Sequence, residues 1–502
     1  MEWRQHPRVP AERPHHRGGP RGGLWRLPLL VLLTAGSPAH GANWEIEPRF
    51  SLSQTWTDNF TLADAGADED EEWITEVAPG IRLSGEGRRA NLDLVYRLQY
   101  LAHARESDRD RTNHLLNADG GVELVRERLF FTADATRSIG SGRGGLVGSD
   151  SNAIGADQRD TVTTWSAGPR FVYRLGRFAG LEAEYRREEV DFGTRVDGDS
   201  ETDVARVGLD SGSMFTTWGW AVDYSRRDES RTRDQGVGGD DAFAEDTELE
   251  ELRGELNVRV GAATQLFVVG GTEDNDFATA QAGDPVDGDF WEAGFRWNPN
   301  RRVSLEAAAG NRFFGDTARG SLSVQGSALS LQLGFSETVT TTPQLQFERQ
   351  QVRLTDADGN PVVGADGQPV TAVIDVPTVD DDVAIEQRAN ARLRWDHSHT
   401  TATINLIATD REFQREGTSE DTRQADVDVG WSRLTRTTIT AGFGIQDRTF
   451  DRDRDDEEIT TVRAGAAREL APNADLDLEF EHITRERSYD VNRVTLGLDM
   501  RF

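Results

Sequence analysis

The last fourteen residues, Tyr489 to Phe502 (YDVNRVTLGLDMRF), decide how the rest of the chain reads. Val494, Leu496, Leu498, Met500 and Phe502 alternate with Arg493, Thr495, Gly497, Asp499 and Arg501. A period of two puts one set on each face of a β-strand, apolar on one side and polar on the other. A half-buried soluble strand would use the same pattern. A carboxylate directly after an aromatic on the apolar face, however, suits a membrane interface better than a core. One alternating strand carries little weight; its recurrence upstream carries the reading.

From Asn43 onward the same unit repeats: an alternating strand, a short turn, an alternating strand, a long acidic loop. Trp44, Ile46, Phe50, Leu52 and Trp56 share one face of the opening strand, with Glu45, Glu47, Arg49 and Ser51 on the other. Trp73, Val77, Ile81 and Leu83 then turn at Gly87 into Leu92, Leu94, Tyr96, Leu98 and Tyr100. Later hairpins turn at Gly176, Gly212, Gly261, Asn298 to Asn300, Gly326, His397 with Ser398, near Arg433, and at Pro472 with Asn473. Leu266 and Val268 lie in a strand apolar on both faces, and the sequence leaves its orientation open. One opening strand, ten hairpins and one closing strand give about 22 strands, within roughly 18 to 24, an even number as a single-chain barrel requires. The predicted fold is all-β: a transmembrane antiparallel β-barrel over residues 42–502, with both ends on the short-turn, periplasmic side. Trp44, Trp56, Trp73, Trp297, Trp395 and Trp431 sit near strand ends, where interfacial girdles belong.

Composition agrees and narrows the function. The 502 residues include no cysteine, which excludes disulfides, thiol catalysis, thiolate metal sites and a lipoprotein anchor. Every basic side chain other than histidine is arginine, and the formal net charge is −32. So acidic a chain is no partner for nucleic acid, whose affinity is built on phosphate contacts. Mean hydropathy is −0.61, which disfavours spanning helices but not a barrel, where only half of each strand faces lipid.

Residues 1–41 read as a cleaved signal peptide. Arg17, Arg21 and Arg26 precede Leu27, Leu29, Leu30, Val31, Leu32 and Leu33, and the small residues Ser37, Ala39 and Gly41 follow. A TonB-dependent receptor matches the strand count but needs a plug; β-structure that begins directly after this leader argues against one, and a barrel without a plug domain is expected.

The C-terminal pattern of Leu496, Leu498, Met500 and Phe502 resembles the closing strand of bacterial outer-membrane barrels. That resemblance implies that the barrel assembly machinery reads it, and places the protein in the outer membrane of a Gram-negative bacterium, against lipid and lipopolysaccharide. The chain also resembles the exosortase-associated (PEP-CTERM system) outer-membrane family. The resemblance rests on Trp44 with Pro48; Thr57, Asp58 and Asn59; Pro79 and Gly80; Tyr96 and Tyr100; Phe313, Phe314 and Gly315; and Ser330 to Thr342 (SLQLGFSETVTTT). It implies a barrel and a porin-like conduit or assembly factor for exopolysaccharide, working with periplasmic polysaccharide export components; it transfers no catalytic residue. The alternative class is a structural or adhesive surface barrel.

Two groups of polar-face residues are candidate sites. Asp477, Glu479 and Glu481 lie between Arg463 and the pair Arg493 and Arg501, and barrel closure brings Glu45, Glu47 and Arg49 beside them. Such arginine–carboxylate ladders line a wide lumen or track a passing solute. Arg388, Asn390, Arg392 and Arg394 form a second group that its partner strand answers only with Thr403 and Asn405, which suits an anionic saccharide. The longest loop, 341–382, holds the duplicated ADGNPV and ADGQPV and is expected to fold in as a constriction. Acidic runs at Asp68 to Glu72, Asp240 to Glu251 and Asp451 to Glu458 read as loops; surface divalent cations are the one cofactor they suggest. His103, His114, His397, His399 and His482 offer no catalytic or metal-binding set, and no enzymatic activity is expected.

Overall fold

The computed structural model describes residues 43–63, 70–141, 153–154, 159–193, 199–233, 243–280, 286–345, 383–415, 417–451, 456–486 and 488–502. It contains 22 strands in a single sheet. The first eleven are β1 (Asn43–Thr57), β2 (Glu72–Glu86), β3 (Ala90–His103), β4 (Arg111–Val125), β5 (Leu129–Ser141), β6 (Arg159–Leu175), β7 (Ala179–Phe192), β8 (Asp199–Ser211), β9 (Trp218–Arg233), β10 (Phe243–Val260) and β11 (Thr264–Asp276). The rest are β12 (Gly288–Asn300), β13 (Val303–Arg312), β14 (Gly315–Gln325), β15 (Leu329–Thr341), β16 (Val383–His397), β17 (Thr400–Phe413), β18 (Ser419–Leu434), β19 (Thr437–Phe450), β20 (Glu457–Ala471), β21 (Ala474–Arg485) and β22 (Asp490–Arg501).

Each strand pairs antiparallel with the next, and β22 returns to pair with β1, so no edge is left unpaired. The closing register sets Phe50 opposite Met500 and Leu52 opposite Leu498. At the end of the seam the Phe502 amide donates to the Pro48 carbonyl at 2.9 Å. Ten short turns join β2–β3 through β20–β21 on one side, as expected, with boundaries displaced by up to three residues. Gly176 and Gly261 take φ of 63° and 78° in two of them, a conformation that costs glycine least.

Strand phase separates two environments. Leu252, Leu256, Val258, Leu266, Val268, Leu478 and Leu496 are exposed together on the outer face. On the outside of a closed barrel this is the lipid-facing band. Tryptophans bound the band on both sides: Trp44, Trp218, Trp395 and Trp431 near the short turns, Trp56 and Trp73 paired near the long loops. Trp44 and Trp56 are twelve residues apart on β1, about 40 Å of strand, which at a tilt near 45° spans about 28 Å of membrane normal.

Several strands run past that band. β10 begins at Phe243, inside the run expected to be an acidic loop, and keeps pairing with β9 while its outer face changes from leucine to Glu248 and Glu250. Backbone pairing does not depend on lipid, so the ladder continues where apolar alternation ends. Outside the barrel at that level Arg226 holds Asp228, Glu248 and Glu250 at 2.9, 2.9 and 3.4 Å. The barrel itself thus agrees with the sequence expectation. The orientation of β11 is also settled: Leu266 and Val268 face lipid, while Phe267 and Val269 are buried on the inner face.

Candidate functional site

The inner wall follows from register. On β22, Val494, Leu496 and Leu498 point to lipid, so Arg493, Thr495 and Arg501 point inward. Arg493 is buried against two carboxylates of β21, Glu479 at 2.7 Å and Glu481 at 2.8 Å. Arg501 takes Asp475 at 2.6 Å, one dyad below Asp477, which leans over Gly497. Arg463 lies across from Glu481 in register but makes its ion pair with Asp428, at 3.7 Å, over Gly442 of the intervening strand. A Cβ at Gly442 would crowd both the Asp428 carboxylate and the Arg463 guanidinium, so glycine is what lets two non-adjacent strands meet.

Across the seam the register sets Arg49 opposite Arg501, yet Arg49 is bound to Glu47 at 2.7 Å on its own strand. Glu45 stands exposed at the short-turn rim. The seam is tied instead by Thr55 and Thr495 hydroxyls 3.0 Å apart and by the Asn492 amide donating to Asp58 at 2.6 Å.

A second lattice, unreadable from the sequence, occupies β10–β14. Arg296 reaches Glu255 at 2.7 Å and Glu306 at 3.1 Å. Arg319 takes Glu292 at 3.0 Å as well as Glu306, and Arg312 takes Glu251 and Glu273. These guanidinium groups also cover an inward apolar cluster of Phe267, Val269, Phe290 and Ala308, with Arg296 4.3 Å from the Phe267 ring centroid. Planar cations lie well on ring faces, so charge here seals the wall as well as wetting it.

Toward the long-loop end, contacts cross between distant strands. Phe60, Ile74, Leu101 and Ala153 form one buried cluster; Leu62, Ile154, Ile459, Ile483, Tyr489 and Val491 form another. Ala153 and Ile154, between β5 and β6, thereby pack against β2–β3 and β20–β22. Arg109 lies over the Phe60 ring at 5.4 Å, and the His103 backbone amide donates at 2.7 Å to Asp110, whose carboxyl that bond holds below its usual range. The Ala280 amide donates to the Gln414 carbonyl at 2.6 Å, joining the β11–β12 and β17–β18 connections. Thr341, where the longest loop begins, donates to Glu229 of β9 at 2.7 Å. The rest of that loop beyond residue 345, both ADG segments included, lies outside the described residues, as do residues 68–69, 240–242 and 452–455 of the acidic runs. Among the described residues no group of three or more acidic or histidine side chains converges as a metal site would.

The second predicted group lies on the inner face of β16. Arg388, Asn390, Arg392 and Arg394 alternate with outward Ala389, Ala391, Leu393 and Trp395. The register puts Thr403 beside Arg394 and Asn405 beside Arg392, as expected. Arg394 is engaged by Asp396 at 2.8 Å.

No family model and no curated protein matches the chain, so the exosortase-associated resemblance gains nothing from those comparisons. Solved structures do match in fold. A variant of the ferric enterobactin receptor PfeA from Pseudomonas aeruginosa, solved with enterobactin, has a TM-score of 0.53 at 11% identity, covering 92% of this chain and 82% of that one. The siderophore receptor PirA from Acinetobacter baumannii gives 0.50 at 10% identity, over 91% of this chain and 80% of that one. The FrpB iron transporter from Neisseria meningitidis gives 0.50 at 9% identity, over 91% and 82%.

Two expectations are corrected by these findings. Exclusion of a plug does not stand, because 22-strand outer-membrane transporters are the barrels with a plugged lumen, and the fold matches receptors of that build. The start of β1 at Asn43 gives no ground against one. The exopolysaccharide conduit with its export partners does not stand either: the fold matches siderophore receptors and an iron transporter. The chain is a closed 22-strand barrel of the outer membrane of a Gram-negative bacterium, similar in fold to siderophore receptors and an iron transporter.

Proposed function

We propose that this barrel is a receptor-type transporter that takes a ferric siderophore, or a metal chelate of that class, across the outer membrane. The observation that carries the reading is the fold match to the ferric enterobactin receptor over 92% of the chain at a TM-score of 0.53. The inner wall is compatible with such a ligand: arginines, carboxylates and hydroxyls offer many hydrogen bonds to an oxygen-rich solute. The contacts across the mouth suit a selective receptor more than a diffusion pore. On this reading an energy-coupling partner of the TonB kind drives release.

The test is uptake of iron-55 by cells of a Gram-negative host lacking its own siderophore receptors, with and without this chain. A panel of catecholate, hydroxamate and carboxylate chelates is supplied in turn. Saturable, chain-dependent uptake of at least one chelate supports the proposal; uptake indistinguishable from the empty host across the whole panel overturns it.

A further inference from the structure

Most inward arginines on this wall are neutralised, and two on β16 are not. Arg296, Arg312, Arg319 and Arg493 each hold two carboxylates, and Arg411, buried near the mouth, lies between Glu386 at 2.8 Å and Glu420 at 3.3 Å. Arg388 and Arg392 have no ion pair and no side-chain hydrogen bond among the described residues. Register explains the difference. Arg388 lies between Ser336 of β15 and Thr409 of β17; Arg392 lies between Gln332 and Asn405. Neither rung offers a carboxylate.

We propose that Arg388, Asn390 and Arg392 form an anion subsite on the lumen wall for a multiply charged, oxygen-rich solute of the polycarboxylate class. As a step in uptake the subsite rests on the function proposed above; as a binding site it does not. The two arginine positions are four residues apart, about 13 Å along the strand, and both side chains are long enough to converge on a ligand smaller than that. Guanidinium groups bind carboxylates through paired N–H donors, and a partner-free arginine forms such a pair without first breaking another. Between them Asn390 lies over Gly334, where a Cβ would collide with its side-chain oxygen, so the middle rung is low and carries an amide. Thr409, directly beside Arg388, is 1% exposed and its hydroxyl has no hydrogen-bond partner among the described residues. Two uncompensated cations, an amide and an unsatisfied hydroxyl on one face present charge and hydrogen bonds to an anion, and the carboxylates flanking them on that face of β16, Glu386 and Asp396, are bound to Arg411 and Arg394.

Isothermal titration of citrate into the full, detergent-solubilised chain tests this. The wild type should bind citrate, more weakly as salt is raised, and Arg388→Gln/Arg392→Gln should weaken binding about tenfold or more. Arg226→Gln, on the outer face, should leave it unchanged. Heat-modifiable mobility on gels verifies that each variant is folded; if the double variant fails to assemble, Arg388→Gln alone should weaken binding about threefold. No citrate binding by folded wild type up to about 10 mM, or a folded variant that binds as tightly as wild type, overturns the subsite. If citrate binds as described while no chelate is taken up by cells, the uptake reading falls and the subsite stands.

Discussion

Thr341, the last residue of β15, donates its hydroxyl to the carboxylate of Glu229 on β9 at 2.7 Å, although five strands of wall lie between the two. Both side chains are buried, and Glu229 also holds Arg231 at 2.5 Å. The mouth is therefore narrowed by a bond between walls that no neighbouring pair supplies.

Thr341→Val keeps the shape and removes the donor. It should cost about 1 kcal/mol and increase entry of uncharged sugars in liposome-swelling assays. Swelling equal to that of wild type would show that this bond does not limit the mouth.

Glu420 is shared by two fully buried arginines, Arg411 at 3.3 Å and Arg448 at 3.6 Å. Glu420→Gln leaves both under-compensated, and the expected loss is about 3 kcal/mol, seen as a lower urea midpoint for unfolding from detergent or lipid. An unchanged midpoint would mean that water or other acceptors satisfy the pair.

Phe267 is buried under Arg296 and Arg319. Phe267→Ala should destabilise the barrel by about 3 kcal/mol, through lost burial and the cavity left beneath the guanidinium groups. Phe295→Ala, on the lipid face of the neighbouring strand, should cost clearly less. Equal losses would contradict the inward assignment of Phe267.

Phe502 closes the chain on the apolar face and is 67% exposed, so it contributes little packing. Deleting it should reduce the amount of folded barrel assembled in cells several-fold, while refolding of purified chain from urea into detergent proceeds as before. Equal losses in both settings would assign Phe502 to stability and not to recognition.

The strands were legible because lipid selects the outer side chains one by one: wherever a strand crosses the membrane, as in Leu478, Phe480 or Leu496, alternation is written in the sequence. Above the membrane that selection ends, which is why Glu248 and Glu250 read as loop while β10 continues through them. Tight turns were found to within a few residues because glycine and asparagine mark them.

The inner wall was legible only as residue type. Local phase places Arg392 and Arg394 inward beside Asn405 and Thr403 correctly, since partner strands are adjacent in sequence. Arg501 finding Asp475 and not Asp477, Arg463 reaching past Gly442 to Asp428, and Thr341 meeting Glu229 all depend on tilt and on strands far apart in the chain. No local pattern encodes those distances. Cargo was carried by resemblance alone, and it is there that the expectation failed.

The alternation of lipid-facing and lumen-facing side chains is the claim on which the rest depends, and a chain without cysteine allows it to be tested cleanly. Gln332→Cys and Leu333→Cys are adjacent on β15, both exposed, and assigned to opposite faces. In intact proteoliposomes a small charged maleimide should label the cysteine at 332 rapidly and the one at 333 hardly at all, whereas a lipid-soluble maleimide should label 333. Equal labelling of both by the charged reagent, or the reverse preference, would contradict the account.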